Sequence, residues 1–197
     1  MKVKWLCGGD IGRRVTLWMM LLTMIAVAAV SCTPGEPELP DEGEMTLSLS
    51  SLVFQEGENI PIKYTCDGQD ISPPFTWSEP PPETQSFAFI MDDPDAPGGV
   101  FTHWLLFNLP SDSRELPEAV PPDNELASGA LQGKNSYGEI GYGGPCPPPG
   151  AAHHYRFTIY ALDQSLDLMA GASRKQVIDA ITGHILARGQ LIGMYQR

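Results

Sequence analysis

Short segments with the spacing of β-strands dominate the chain after residue 45. Residues 46–54 alternate between apolar and polar types, which predicts a half-buried strand. Residues 60–64 predict a second strand, in which Pro61 is tolerated at a sheet edge. Three further apolar runs of strand length are rich in aromatic side chains, namely 86–91, 104–109 and 155–162.

One segment near the C-terminus has helical spacing. Its apolar positions are Val177, Ile178, Ile181, Ile185 and Leu186. Ser173 is the predicted N-cap and Gly189 the predicted end, and residues 191–195 predict a last strand. Because strands outnumber helices and turn residues are frequent, the pattern favours a mainly β fold. We expect an antiparallel β-sandwich with a C-terminal helix and short peripheral helical turns.

The first 32 residues have the layout of an export signal. Residues 15–30 carry no charge, follow Arg13 and Arg14, and are shorter than the ~20 residues that a transmembrane helix needs. Cys32 follows three small residues and resembles the cysteine of a bacterial lipobox, which is acylated and becomes the new N-terminus. The alternatives are a plain signal peptide or an uncleaved anchor.

The next segment, residues 33–44, is rich in proline and acidic residues. Such a composition cannot bury a core, which predicts an extended tether of about 35–40 Å at ~3.1 Å per residue. The expected organisation is therefore a signal peptide (1–32), a tether (33–44) and one domain (45–197).

Charge is distributed unevenly between these parts. The 197 residues have a net charge of -12, but residues 33–197 hold 8 Lys/Arg and 23 Asp/Glu, a net charge of -15. A body this acidic is repelled by phosphate backbones and by anionic lipid surfaces, which argues against general nucleic-acid or membrane-surface binding. An anionic ligand would have to be held by local donors.

Two acidic side chains follow the predicted strand 86–91. Asp93 and Asp95 alternate with Pro94 and Pro97, whose rings fix φ and stiffen the segment. His103 stands at the start of the next predicted strand. This arrangement is either part of a rigid binding site or an acidic turn beside a buried histidine of the core.

A glycine- and proline-rich segment, residues 138–150, precedes another strand. The amides of Gly143 and Gly144 could hold an anion, or the glycines could serve a loop that needs positive φ. Strand alternation places His153 and Tyr155 on one face. The chain contains no P-loop, Gly-x-Ser-x-Gly or His-Glu-x-x-His motif, so these residues predict a small polar pocket without a familiar catalytic motif.

Five motifs follow one another along residues 45–197. They are Tyr64-Thr65-Cys66-Asp67-Gly68 with Ser72-Pro73-Pro74, Asp93-Pro94-Asp95-Ala96-Pro97, His103-Trp104, residues 141–148 and His153-x-Tyr155. Together they resemble the phosphatidylethanolamine-binding protein family, in its bacterial branch of Raf kinase inhibitor-like proteins. Residues 183–184 and 191–197 fit the same branch. The sequence departs from the family pattern at His154, which is expected to face away from the pocket.

The resemblance implies a β-sandwich with a small anion-binding pocket and no cofactor, metal or catalytic residue. Carried over residue by residue, the ligand-binding set is Asp93, Asp95, Pro97, His103, Gly143, Gly144, Pro145, His153 and Tyr155. Ligands of such pockets are phosphate-like groups and phospholipid headgroups. Protonated histidine would favour them, and Asp93 is expected to raise the pKa of His103 and His153.

The domain contains two cysteines, Cys66 and Cys146. An even pair in an exported domain can form a disulfide bond. The alternative is two buried thiols.

The leading hypothesis is a non-enzymatic binding protein, anchored through Cys32 outside the cytoplasm of a bacterial cell, or else secreted or periplasmic. Its partner would be a small anionic ligand or a phospholipid headgroup, and not nucleic acid. The second hypothesis is an inhibitor of a protease or kinase that acts through surface loops. A third, less favoured, is a phosphoester hydrolase with a metal held by Asp93, His103 and His153.

Overall fold

The computed structural model describes residues 37–197. In chain order its strands and helix are β1 (Leu49–Ser50), β2 (Phe75–Trp77), β3 (Ser86–Asp93), β4 (Phe101–Pro110), β5 (Glu115–Leu116), β6 (Leu131–Gln132), β7 (His153–Leu162), α1 (Arg174–Ile181) and β8 (Ile185–Tyr195). A single 3-10 turn spans Ile62–Tyr64.

Two antiparallel sheets pack face to face. The smaller has the order β1-β2-β5 and the larger β6-β4-β3-β7-β8. Phe75 of β2 lies against Phe89 of β3 and Phe157 of β7, with ring centroids 5.1 and 4.8 Å apart. The main core therefore lies between the sheets, and the prediction of a mainly β sandwich with a helix near its C-terminus is confirmed.

The larger sheet is covered on its other face as well. All eight residues of β3 are buried. Ala88 and Ile90 of this strand belong to a second core with Val177 and Ile181 of α1. Burial on both faces explains why β3 is a continuous apolar run.

Helix α1 is fixed at its first turn. Ser173 caps it as predicted, and its hydroxyl and amide both bond to Gln176 in a capping box. Arg174, 4% exposed, donates to the fully buried carboxylate of Asp92 at 2.9 and 3.1 Å. This ion pair ties the helix to the middle of the sheet.

Residues 46–54 and 60–64 are less regular than predicted. Leu47 and Leu49 are buried and their neighbours exposed, but only Leu49–Ser50 pairs with β2. The predicted strand at 60–64 is wrong, because Tyr64 N bonds to the carbonyl of Pro61 and closes the 3-10 turn.

The predicted helix end is also wrong. Gly183 has φ 83° and follows the C-cap Thr182, so the helix stops eight residues before Gly189 and Ile185 begins a strand. Gly189 lies inside β8, where a Cβ would meet the carbonyl oxygen of Leu47 at 2.3 Å. The glycine allows close strand approach there and does not end the helix.

The described part of the predicted tether lies against the domain. We call residues 37–44 the strap. Its Glu44 carbonyl accepts from Arg188 N at 2.9 Å, its Glu42 carboxylate from Gly183 N at 2.6 Å, and Leu39 packs against the second core. Arg174 donates to the carbonyl of Pro37. This portion of the tether is thus surface of the domain.

Segments from two places cover the outer edge of β8. Leu47 N bonds to the carbonyl of Arg188 beside the strap. Further along, Gly57 N and Ile60 N bond to the carbonyls of Ile192 and Met194. Most of this edge therefore has backbone partners.

The predicted signal peptide (1–32), the lipidation site Cys32 and tether residues 33–36 lie outside the described residues. Within residues 37–197 no helix is long and apolar enough to cross a membrane.

Candidate functional site

A pocket opens at one end of the larger sheet. Asp93 ends β3 and pairs with Phe101, which begins β4, and His153 begins β7 on the other side. The cavity has a volume of about 200 Å³. Its lining consists of Asp93, Ala96, Pro97, Phe101, His103, Tyr137, Cys146, Pro147, Pro148, His153 and Tyr155. A space this far below the ~300–1,000 Å³ of drug-sized sites suits a small group.

Asp93 and His153 form a buried pair in this pocket. His153 Nδ1 lies 2.7 Å from Asp93 Oδ2, and the two side chains are 11% and 5% exposed. Asp95 N donates to the other oxygen, Oδ1, at 2.8 Å. Because the carboxylate accepts from Nδ1, the second ring nitrogen of His153 is left for a ligand, and it has no bond to the described chain.

His103 is held by the glycine-rich loop. Its Nδ1 donates to the carbonyl of Gly143 at 2.7 Å, and Gly143 N donates back to the His103 carbonyl at 3.0 Å. Burial lowers the pKa of His103, and the attraction of Asp93 offsets only part of this effect. Asp93 thus raises the pKa of His103 as expected, but burial lowers it by more, so the net shift is downward and the ring is neutral near pH 7.

Tyr155 supplies an unsatisfied donor. Its ring is fully buried between His103, at 5.2 Å between centroids, and His153, at 6.5 Å. Its buried hydroxyl has no hydrogen-bond partner among residues 37–197. Burial first, and the charge of Asp93 second, raise the pKa of this hydroxyl, so it stays protonated and can donate.

Four predicted site residues lie behind or beside the lining. Gly144 N donates to Asp70 Oδ1 at 2.6 Å and Gly143 N to His103, so neither amide is free for an anion. The carbonyl of Pro145 accepts from Cys66 N. Asp95 accepts from the amide and ring of His154 at 2.8 Å each, on the outer side of β7. These residues support the walls of the pocket.

The sequence reasoning missed Phe101 and Tyr137 as lining residues. Phe101 stands two residues before His103 on β4, so strand alternation could have found it. Tyr137 comes from a loop, where its amide bonds to Asn135 Oδ1 and its ring packs on Phe101 at 4.8 Å. No pattern in the sequence links it to the site.

Cys66 and Cys146 are joined by a disulfide bond. Cys146 belongs to the pocket lining with the two prolines that follow it. The bond therefore ties one pocket wall to the turn at residues 65–70.

Asp93, His103 and His153 do not form a metal centre as a set. Among residues 37–197 no group of three or more His, Cys, Asp or Glu side chains is placed to hold a metal ion.

Known proteins resemble this chain in both sequence and fold. The family model described as "Phosphatidylethanolamine-binding protein" matches residues 50–196. A "UPF0098 protein" of Methanothermobacter thermautotrophicus is 50% identical over 151 residues, covering 77% of this chain and 99% of its own. The "Putative lipoprotein LppC" of Mycobacterium tuberculosis is 36% identical over 165 residues, covering 83% and 79%.

Two solved structures have the same architecture. The phosphatidylethanolamine-binding protein homologue CT736 of Chlamydia trachomatis is 39% identical with a TM-score of 0.71, over 78% of this chain and 99% of that one. YbcL of E. coli is 32% identical with a TM-score of 0.72, over 77% and 98%.

Proposed function

The chain belongs to the phosphatidylethanolamine-binding protein family, and from that premise we propose that it is an exported, lipid-anchored and non-enzymatic binding protein. Its pocket would hold a small anionic ligand, a free phosphate or the phosphate of a headgroup. Export and anchoring through Cys32 are supported by the signal-like leader and by the relative named as a lipoprotein.

The buried hydroxyl of Tyr155 carries the proposal. A buried donor without an acceptor costs about 1–3 kcal/mol, so its retention beside a cavity is best explained by a ligand that accepts its hydrogen bond. A phosphate oxygen is such an acceptor. Another oxygen of the same phosphate can accept a hydrogen bond from the second ring nitrogen of His153 when that nitrogen carries a proton.

The charge of Asp93 does not prevent anion binding. Its carboxylate is 2.7 Å from His153 Nδ1, so a protonated ring neutralises it and offers its remaining N–H outward. In that state the pair carries no net charge. The ligand then meets two hydrogen-bond donors, Tyr155 and His153, although the net charge of the domain is negative.

The lining supports binding over catalysis. It includes no serine or threonine, and its cysteine is part of the disulfide bond. His153 and Asp93 resemble the base and orienting acid of a catalytic triad, but no activated nucleophile stands beside them in the lining. Such a pocket is suited to holding a group in place.

A single-atom substitution tests the proposal. Tyr155→Phe removes the hydroxyl and keeps the ring, and we expect it to weaken binding of phosphate or phosphoethanolamine by about 10–100-fold, the effect of a hydrogen bond to a charged group. Isothermal titration calorimetry on the purified chain measures this. Comparing the two ligands distinguishes a free anion from a headgroup.

Tyr160→Phe is the matched control. Its buried hydroxyl also has no partner in the described part of the chain, but it lies in the second core on the other face of the sheet. Neither substitution should lower the thermal midpoint of the free protein, since each removes an unsatisfied group. Equal loss of binding in both variants, or none in Tyr155→Phe, would overturn the proposal.

A further inference from the structure

A strip of basic side chains crosses the outer face of the larger sheet. Arg156 and Arg188 come from the neighbouring strands β7 and β8, and Arg174 approaches them from α1. All three lie close enough to the Tyr160 hydroxyl to influence it electrostatically. Three of the eight Lys and Arg residues after residue 32 are thus gathered at one place on a strongly acidic body.

Three donors beside this strip have no acceptor among residues 37–197, whereas Arg174 is bound to Asp92. They are the buried Nε atoms of Arg156 and Arg188 and the buried hydroxyl of Tyr160. Tyr160 is fully buried and pairs directly with Arg188 across the strands. Within residues 37–197, the side chain of Arg156 forms no hydrogen bond and no ion pair, although it is partly exposed to solvent.

The strand register places these groups along one line. Arg156 lies opposite Ile192, and Thr158 lies opposite Gln190, whose Nε2 donates to the Thr158 hydroxyl at 3.2 Å. Tyr160 and Arg188 follow next. Thr158 and Tyr160 are buried, so the row reaches the surface through the partly exposed Arg156, Gln190 and Arg188. Two arginines at the ends of a row of about 13 Å match an extended chain that carries more than one acidic group.

The strap has the composition of such a chain and contacts one end of the strip. It holds four acidic residues and no basic ones, and its Asp41 contacts the guanidinium of Arg188. This ion pair is weak, because the side chain of Asp41 is 89% exposed. The strap also leaves Arg156 without an acceptor.

We propose that this strip, Arg156 with Arg188, is a docking site for an extended acidic peptide segment of a partner protein, and that the strap is its weak internal competitor. A partner carboxylate would bond to the fork of Arg156, and a second would replace Asp41 on Arg188. The site is separate from the pocket and does not depend on the pocket's ligand.

The direct probe is a fluorescent peptide with the strap sequence, Pro-Glu-Leu-Pro-Asp-Glu-Gly-Glu, added to the full chain and followed by fluorescence anisotropy. Arg156→Gln should weaken its binding at least tenfold. Asp41→Asn, which weakens the internal competitor, should strengthen it severalfold. Raising the salt concentration from 50 to 300 mM should weaken it in every variant.

Matched controls separate the strip from general charge effects. Arg114→Gln removes an equal charge from a loop where the guanidinium is bound to Glu79, and should leave peptide binding unchanged. A peptide with Gln and Asn in place of its four acids should not bind. Arg156→Lys keeps the charge without the fork and should give an intermediate affinity. Arg156→Gln should fold normally, since its guanidinium has no hydrogen bond or ion pair to lose within residues 37–197.

Several outcomes would overturn the proposal. One is binding that is insensitive to Arg156→Gln, and another is no binding to the Asp41→Asn variant. Displacement of the peptide by sulfate far beyond that by chloride at equal ionic strength would indicate a small-anion site. Arg156-dependent capture by phosphatidylglycerol vesicles, without peptide binding, would indicate a lipid surface.

Discussion

Burial has opposite consequences for neighbouring polar side chains of the pocket. It lowers the pKa of His103 and keeps that ring neutral, whereas it raises the pKa of Tyr155 and keeps that hydroxyl protonated. Both effects suppress charge. The pocket therefore presents a neutral imidazole and a phenol donor beside the buried pair formed by Asp93 and His153.

Acid should destabilise the domain through His103. Because its folded pKa lies below the unfolded value of about 6.5, protonation favours the unfolded state, and stability falls as pH drops below that value. We expect the free energy of unfolding, measured in urea, to fall more from pH 7.5 to 5.5 in the natural chain than in His103→Asn. Parallel pH dependences would contradict the assignment.

Much of the site could be predicted because sequence motifs mark its strand ends. Asp93, Pro97, His103, His153 and Tyr155 all line the pocket. The glycine amides could not be assigned, since their actual acceptors lie far away in the chain, Asp70 for Gly144 among them. Tyr137 is placed by a loop whose conformation depends on tertiary bonds, which no local pattern encodes.

At the scale of elements, a buried ion pair joins α1 to the larger sheet. Arg174 binds Asp92 in the interior, and Thr102 donates to the same carboxylate at 2.8 Å. The next residue, Lys175, binds Asp179 on the exposed surface of the helix. The nitrogen–oxygen distances of these two ion pairs are similar, but the pair of Arg174 is buried and the pair of Lys175 is exposed to solvent.

Arg174→Met should cost about 3–5 kcal/mol of unfolding free energy, because it leaves the carboxylate of Asp92 buried without its cation. Lys175→Met, one residue away, should stay within about 0.5 kcal/mol of the natural chain. Urea denaturation at pH 7 compares them. Similar losses in the two variants would show that burial of the pair is not what matters.

The long strands were predictable and the short elements were not. Apolar runs identify β3, β4 and β7 because both sides of the sheet are covered. Residues 60–64 look like a strand in isolation, but Ile60 already bonds to the edge of β8 and the chain then turns. The pattern predicts too long a helix because either Gly183 or Gly189 can end it, and the spacing of apolar residues does not distinguish them.

At the scale of the whole molecule, the disulfide bond joins distant parts of the chain. Cys66 and Cys146 are 80 residues apart in sequence, and the loop between them contains β2 to β6. Cross-linking so long a loop restricts the unfolded chain strongly.

Replacing both cysteines by serine should therefore lower the unfolding free energy by about 2–5 kcal/mol. The natural chain should lose a similar amount when dithiothreitol is present during urea denaturation, whereas the double variant should not respond to the reductant. A natural chain that is equally stable with and without reductant would indicate that the bond contributes little.

The covered edge of β8 has a consequence for how copies of the protein meet. An open edge strand presents unpaired backbone groups that can template another chain, the first step of sheet-to-sheet aggregation. Here the strap, Leu47 and residues 57–60 already bond to that edge. At high local concentration, neighbouring domains would therefore find most of this edge already paired, which disfavours polymerisation through β8.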